Sequence, residues 1–141
     1  MILWLASYPK SGNTFVRALL SNYLNNENKY IFTKMKGIQS FPKKKSFEGI
    51  VDDDLIKKDK NQLFKYFLSA QKKINENNKL NLLKTHNFFG SINGYEFTNK
   101  ENTAGAIYIV RDPRSVAVSY AHHADVSYEK STELLLMEKR F

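Results

Sequence analysis

The chain has 141 residues, 42% of them hydrophobic and 13% aromatic, with Lys+Arg 22 against Asp+Glu 14 and no cysteine. That length and apolar content call for one domain, residues 1–141, around a packed core and exclude a disordered chain. Zero cysteines exclude a disulfide scaffold, a thiolate metal site and a cysteine nucleophile, and a net charge of +8 calls for an anionic partner or a basic surface.

Ile2-Leu3-Trp4-Leu5-Ala6 is a short apolar run closed by Tyr8-Pro9, which reads as a buried strand. It is far shorter than the ~20 residues of a membrane helix and has no basic stretch before it, so a cytoplasmic protein without a membrane span is expected. Phe15, Val16, Leu19, Leu20, Tyr23 and Leu24 then fall on one helical face, predicting a helix over 14–24. Residues 33–50, with Gly37, Pro42, Gly49 and the run Lys43-Lys44-Lys45, read as a basic loop. Asp52-Asp53-Asp54 suits a helix start, and Leu63, Phe64, Phe67, Leu68, Gln71 and Ile74 suggest an amphipathic helix to about Ile74.

Residues 80–85 look like a second strand and 88–103 like a Gly/Asn-rich loop. Ala106-Ile107-Tyr108-Ile109-Val110 is the clearest strand, an apolar run of the kind buried on both faces of a parallel sheet. Asp112-Pro113 supplies a helix cap and a proline at the first helical position, so a helix should run over 113–123, with another over 128–139. Strands alternating with helices predict an α/β fold with a mainly parallel sheet.

Three segments carry chemistry. In Tyr8-Pro9-Lys10-Ser11-Gly12-Asn13-Thr14-Phe15 a strand, a tight turn and a helix N-terminus make an anion site, with backbone N–H groups and the helix dipole aimed at the turn. Lys10 adds a charge, and Ser11 and Thr14 add hydroxyls. The lysine precedes the glycine, so this is not the Walker A order of nucleotide kinases. Lys84-Thr85-His86 ends the second strand, and ligands of α/β sheets bind at the carboxyl ends of strands, so His86 should share an edge with Lys10. A histidine can take a proton from an alcohol or phenol near neutrality. In Val110-Arg111-Asp112-Pro113-Arg114-Ser115 and on to Ser119, Arg111 leaves a buried strand where its planar fork can grip a phosphate. Ser119 lies ~10 Å along the following helix. The competing reading has Arg111 paired with Asp112 or Asp125. Asp52-Asp53-Asp54 and His122-His123 are not read as metal ligands, because consecutive helical residues point ~100° apart.

In this order the three segments resemble the sulfotransferase family that uses 3′-phosphoadenosine 5′-phosphosulfate (PAPS). The first is similar to its 5′-phosphosulfate loop, Lys84-Thr85-His86 to the motif of its catalytic base, and residues 108–122 to its 3′-phosphate segment. The resemblance implies a P-loop-like parallel sheet flanked by helices. It implies that Lys10 and Lys84 stabilise the transferring sulfuryl group and that His86 is the base. Lys10, Ser11, Gly12, Asn13 and Thr14 would hold the 5′-phosphate, Phe15 would stack on adenine where many members have Trp, and Arg111 and Ser119 would hold the 3′-phosphate. It implies no metal, no nucleic-acid partner, and a small-molecule or glycan acceptor with a hydroxyl or amine. Family members are longer and carry a further cofactor segment near their C-terminus; nothing after Ser119 resembles it. The chain is therefore expected to be the N-terminal portion of such a domain and to hold PAPS weakly. A binding-only fragment, a P-loop kinase and a nucleic-acid binder are the alternatives.

Overall fold

A computed structural model describes residues 1–24, 37–52 and 60–137. Four strands form a parallel sheet in the order β2-β3-β1-β6: β1 (Ile2–Ser7), β2 (Gln39–Ser40), β3 (Asn81–Thr85) and β6 (Thr103–Ile109). Helices α1 (Asn13–Leu24), α2 (Phe67–Asn75), α3 (Pro113–Ala124) and α4 (Tyr128–Leu136) accompany it. The expected α/β architecture, a P-loop-like parallel sheet flanked by helices, is what forms.

Side-chain alternation sorts the sheet into two faces. One carries Trp4 and Leu83 into an aromatic core with Phe41, Phe47, Phe67 and Phe97. Ring centroids lie 5.6 Å apart for Trp4–Phe41, 5.0 Å for Trp4–Phe97 and 5.4 Å for Phe41–Phe67. Such pairs add ~1 kcal/mol each beyond their buried area. The indole N–H donates to Thr103 Oγ1 at 3.0 Å, and buried Gln71 donates to the Phe97 carbonyl at 2.6 Å. The core therefore buries few unpaired donors. The opposite face presents Leu5 and Lys84 toward α1, whose Ala18 is fully buried.

The stretch expected to be a basic loop is more ordered than that. Phe41 and Phe47 are core residues, so residues 39–40 pair with β3 and residues 44–47 coil into a 3₁₀ helix that seats Phe47. Residues 33–36 lie outside the described part, as do 53–59 of the helix expected from Asp52. After them a 3₁₀ helix, Lys60–Tyr66, leads into α2. Within 88–103 a small hairpin forms, β4 (Ser91–Ile92) against β5 (Tyr95–Glu96). Asn93 and Gly94 at its tip both have positive φ, 52° and 81°, as a two-residue hairpin turn demands.

The expectation for residues 106–110 needs correction. Residues 106–109 do lie in a strand, β6, but among the described residues it sits at the sheet edge and pairs with β1 alone. Ile107 is 41% exposed, Tyr108 67% and Val110 75%. The inner strands are β3 and β1, and Ile2 and Leu5 of β1 are fully buried. An apolar run states that a strand can be buried; the strand order decides whether it is. The helix signals at 112–113 hold: the Asp112 carboxylate accepts from the Arg114 N–H at 2.9 Å, and Pro113 opens α3. The last helix ends at Leu136; residues 138–141 lie outside the described part.

Candidate functional site

Strand order reverses at β1, which has β3 on one side and β6 on the other. In α/β sheets this is where a crevice opens beyond the carboxyl ends of the strands. The three segments leave the sheet there: the Lys10 loop from β1, His86 from β3 and Arg111 from β6.

The loop is built by backbone geometry. Lys10 and Gly12 both have positive φ, 67° and 101°. The Ser11 N–H donates to the Tyr8 carbonyl at 3.2 Å, closing a tight turn before α1. Apart from its chain neighbours, nothing lies within 4 Å of a Cβ added at Gly12, so the space beside the loop is open. The N–H groups of the first helical turn have no intrahelical acceptors and face the same side. Thr14 and Phe15 are exposed on that turn, while Ser11 is buried.

Asn13 is the loop residue whose side chain turns away from the cradle. It is buried, and its amide donates to the Leu5 carbonyl at 3.2 Å and to Ser7 Oγ at 3.1 Å. Its side chain instead ties α1 to β1. Asn13→Ala is expected to cost ~1–3 kcal/mol in urea unfolding, since it removes two hydrogen bonds between α1 and buried groups of β1. Asn13→Asp should cost more, because a carboxylate cannot donate to Leu5 O.

His86 is fixed from the same strand end. Its Nδ1 lies 2.7 Å from the Ser7 carbonyl and 3.3 Å from Ser7 Oγ. A carbonyl only accepts, so Nδ1 carries the proton and Nε2 keeps its lone pair. Burial lowers the His86 pKa; the Ser7 carbonyl opposes this, and Lys84 and Arg17 reinforce it. The ring is therefore neutral, with a free acceptor nitrogen, over most of the physiological range. Lys84, one pleat back, is half-buried. Burial, with Arg17 and Lys43 nearby, pulls its pKa down to about 8.

A cleft of about 550 Å³ opens beside His86, walled by Tyr8, Asn87, Phe88, Phe89 and Tyr108. A second, of about 290 Å³, lies between the Ser11 loop, Arg111 and the end of α4. Arg111 Nη1 donates to the Lys10 carbonyl at 3.0 Å, joining the first and third segments. Neither Asp112 nor Asp125 takes Arg111; Asp112 is held by Arg114 at 2.6 Å. Ser119 sits half-buried on α3, and no hydrogen bond joins it to Arg111.

Two aromatic walls, Phe88 and Phe89, and one cation, Arg17, escape a reading by motif. Phe88-Phe89 lies two residues after His86, and an adjacent aromatic pair just beyond a strand end was the available signal. Arg17 carried a weaker one, one helical turn after Asn13. Among the described residues no cluster of three or more His, Asp or Glu could hold a metal, and no helix is long and apolar enough to cross a membrane.

No curated protein matches the chain. Residues 2–140 match the sulfotransferase domain family, nearly the full length of the chain, and the protein belongs to that family.

Proposed function

We propose that this chain is a PAPS-dependent sulfotransferase that moves a sulfuryl group to a hydroxyl or amine of a small-molecule or glycan acceptor. The observation that carries this reading is the convergence of Lys10, His86 and Arg111 at one edge of the sheet, with the Arg111 guanidinium on the Lys10 carbonyl. The open cradle at Gly12 fits an anionic 5′-phosphosulfate, and the exposed ring of Phe15 beside it fits a purine face.

PAPS supplies an activated sulfuryl group attached through its 5′-phosphate. The protein's part is positioning and charge. Lys10, the loop N–H groups and the hydroxyls of Ser11 and Thr14 bind the anionic donor end and offset the charge that grows on the leaving phosphate. Lys84 adds a cation on the β3 side. Arg111, with Ser119, binds the 3′-phosphate. His86 accepts the acceptor's proton at Nε2, the nitrogen left free by the Ser7 carbonyl. The cleft walled by Phe88, Phe89 and Tyr108 holds the acceptor beside that nitrogen. A sulfuryl group carries less negative charge than a phosphoryl group, so cationic side chains serve where phosphoryl transfer uses metal ions.

The test is transfer of labelled sulfate from PAPS to a panel of phenols, alcohols, amines and sugars. Arg111→Ala should raise KM for PAPS ~10-fold with kcat little changed, because a charge-assisted contact to a non-reacting phosphate is lost. Tight binding of adenosine 3′,5′-bisphosphate with no turnover on any acceptor would instead make the chain a nucleotide-binding domain without transferase activity.

A further inference from the structure

Arg17, Lys84 and Lys43 gather around one short strand. Arg17 Nη2 donates to the Ile38 carbonyl at 2.7 Å, immediately before β2. Lys84 stands opposite Ser40 in the register, and its carbonyl accepts from the Phe41 N–H at 2.8 Å. Lys43 follows two residues later. Arg17 and Lys84 are only partly exposed, whereas Lys43 reaches solvent. Among the described residues no carboxylate forms an ion pair with any of the three. Arg17 also keeps a buried Nε–H without an acceptor.

Three like charges brought together and partly desolvated repel one another and pay a solvation cost, so such a cluster is stable only at a price unless an anion completes it. An oxyanion is the ligand that offsets such a cluster, and the planar guanidinium fork suits one well. We propose that Arg17 and Lys43 flank Lys84 to form an oxyanion site on the α1 side of the sheet, next to the His86 edge. Its ligand is a sulfate-like group, either the sulfuryl end of the donor or an anionic substituent of the acceptor. Only the choice between those two sources rests on the sulfotransferase reading; the site itself does not.

The test needs no turnover. The full chain is treated with an acetylating reagent in matched ionic strength of sodium sulfate or sodium chloride, and lysine modification is read by mass spectrometry. Sulfate should slow acetylation of Lys84 and Lys43 and leave exposed Lys100 unchanged. In Arg17→Gln the half-protecting sulfate concentration should rise about tenfold, the loss of one charge-assisted contact. Arg17→Lys should restore part of the protection, and Lys43→Gln, at an exposed position, gives a second reading should Arg17→Gln fold poorly. Equal acetylation in sulfate and chloride, or unchanged protection in both glutamine variants, overturns the site. Repeating the experiment with PAPS bound separates the sources. If added sulfate gives no further protection, the donor's sulfuryl group fills the site; if protection persists, the site belongs to an anionic acceptor. Failure of the transferase reading would appear in the transfer assay and leave sulfate protection intact.

Discussion

Replacing Lys10 with glycine is expected to lower sulfuryl transfer ~10²–10³-fold while leaving the protein at least as stable as before, the size of loss seen when one preorganised oxyanion donor is removed. Lys10 holds φ 67°, a left-handed backbone that costs a residue with a Cβ ~1–2 kcal/mol. Glycine relieves that cost but loosens the unfolded chain, so a net gain between zero and ~1 kcal/mol follows. Lys10→Ala keeps the Cβ and the strain, so it should match Lys10→Gly in lost activity and fall below it in stability. Urea midpoints and initial transfer rates on the two variants check both halves. A Lys10→Gly protein that retains transfer would remove the ammonium from the mechanism. The left-handed turn is what aims the Lys10 carbonyl at Arg111, so strain here holds two binding segments together.

The second large effect concerns pH. His86→Ala should lower kcat/KM ~10²–10⁴-fold, the range for a positioned proton acceptor. In the unsubstituted protein, kcat/KM should follow a bell. The base must be neutral, and burial lowers the His86 pKa, so activity rises with pH along a limb centred below the ordinary histidine value of 6.5. Lys84 must be charged, and its pKa lies at about 8, so activity falls again as pH passes that value. The signs are opposite because one group works deprotonated and the other protonated. His86→Ala should flatten the acidic limb. Lys84→Arg, which holds its charge across the range, should carry the alkaline limb well above pH 8. An alkaline limb that stays near 8 in Lys84→Arg would assign it to another group.

Much of the candidate site's layout was readable from local sequence because its physics is local. A strand, a Gly-containing turn and a helix start make an anion cradle wherever they occur, and Tyr8 to Phe15 contains all three. Asp112-Pro113 caps a helix by contacts two residues apart, and the cap forms as read. The order of the segments, combined with the rule that α/β sheets bind at strand carboxyl ends, brought Lys10, His86 and Arg111 to one edge. Phe41 and Phe47 were harder to read, since a stretch rich in Lys, Gly and Pro hides two core rings until the sheet and α2 give them neighbours.

The amino-acid sequence alone determined the family, the α/β class and the residues available for chemistry, all of which follow from patterns spanning a few residues. The tertiary structure decided which of those residues face one another. The Arg111 contact with the Lys10 carbonyl spans 101 positions, and His86 meets Ser7 across 79. Asn13 reads as a cradle residue by position, yet its amide turns inward because the Leu5 carbonyl and Ser7 hydroxyl lie behind it. Residues 106–110 read as a strand buried on both faces, yet β6 lies at the edge of the described sheet and Ile107, Tyr108 and Val110 are exposed. Hydrogen-bond partners and strand neighbours are set by chain topology, and topology is a property of the whole chain that no short pattern contains.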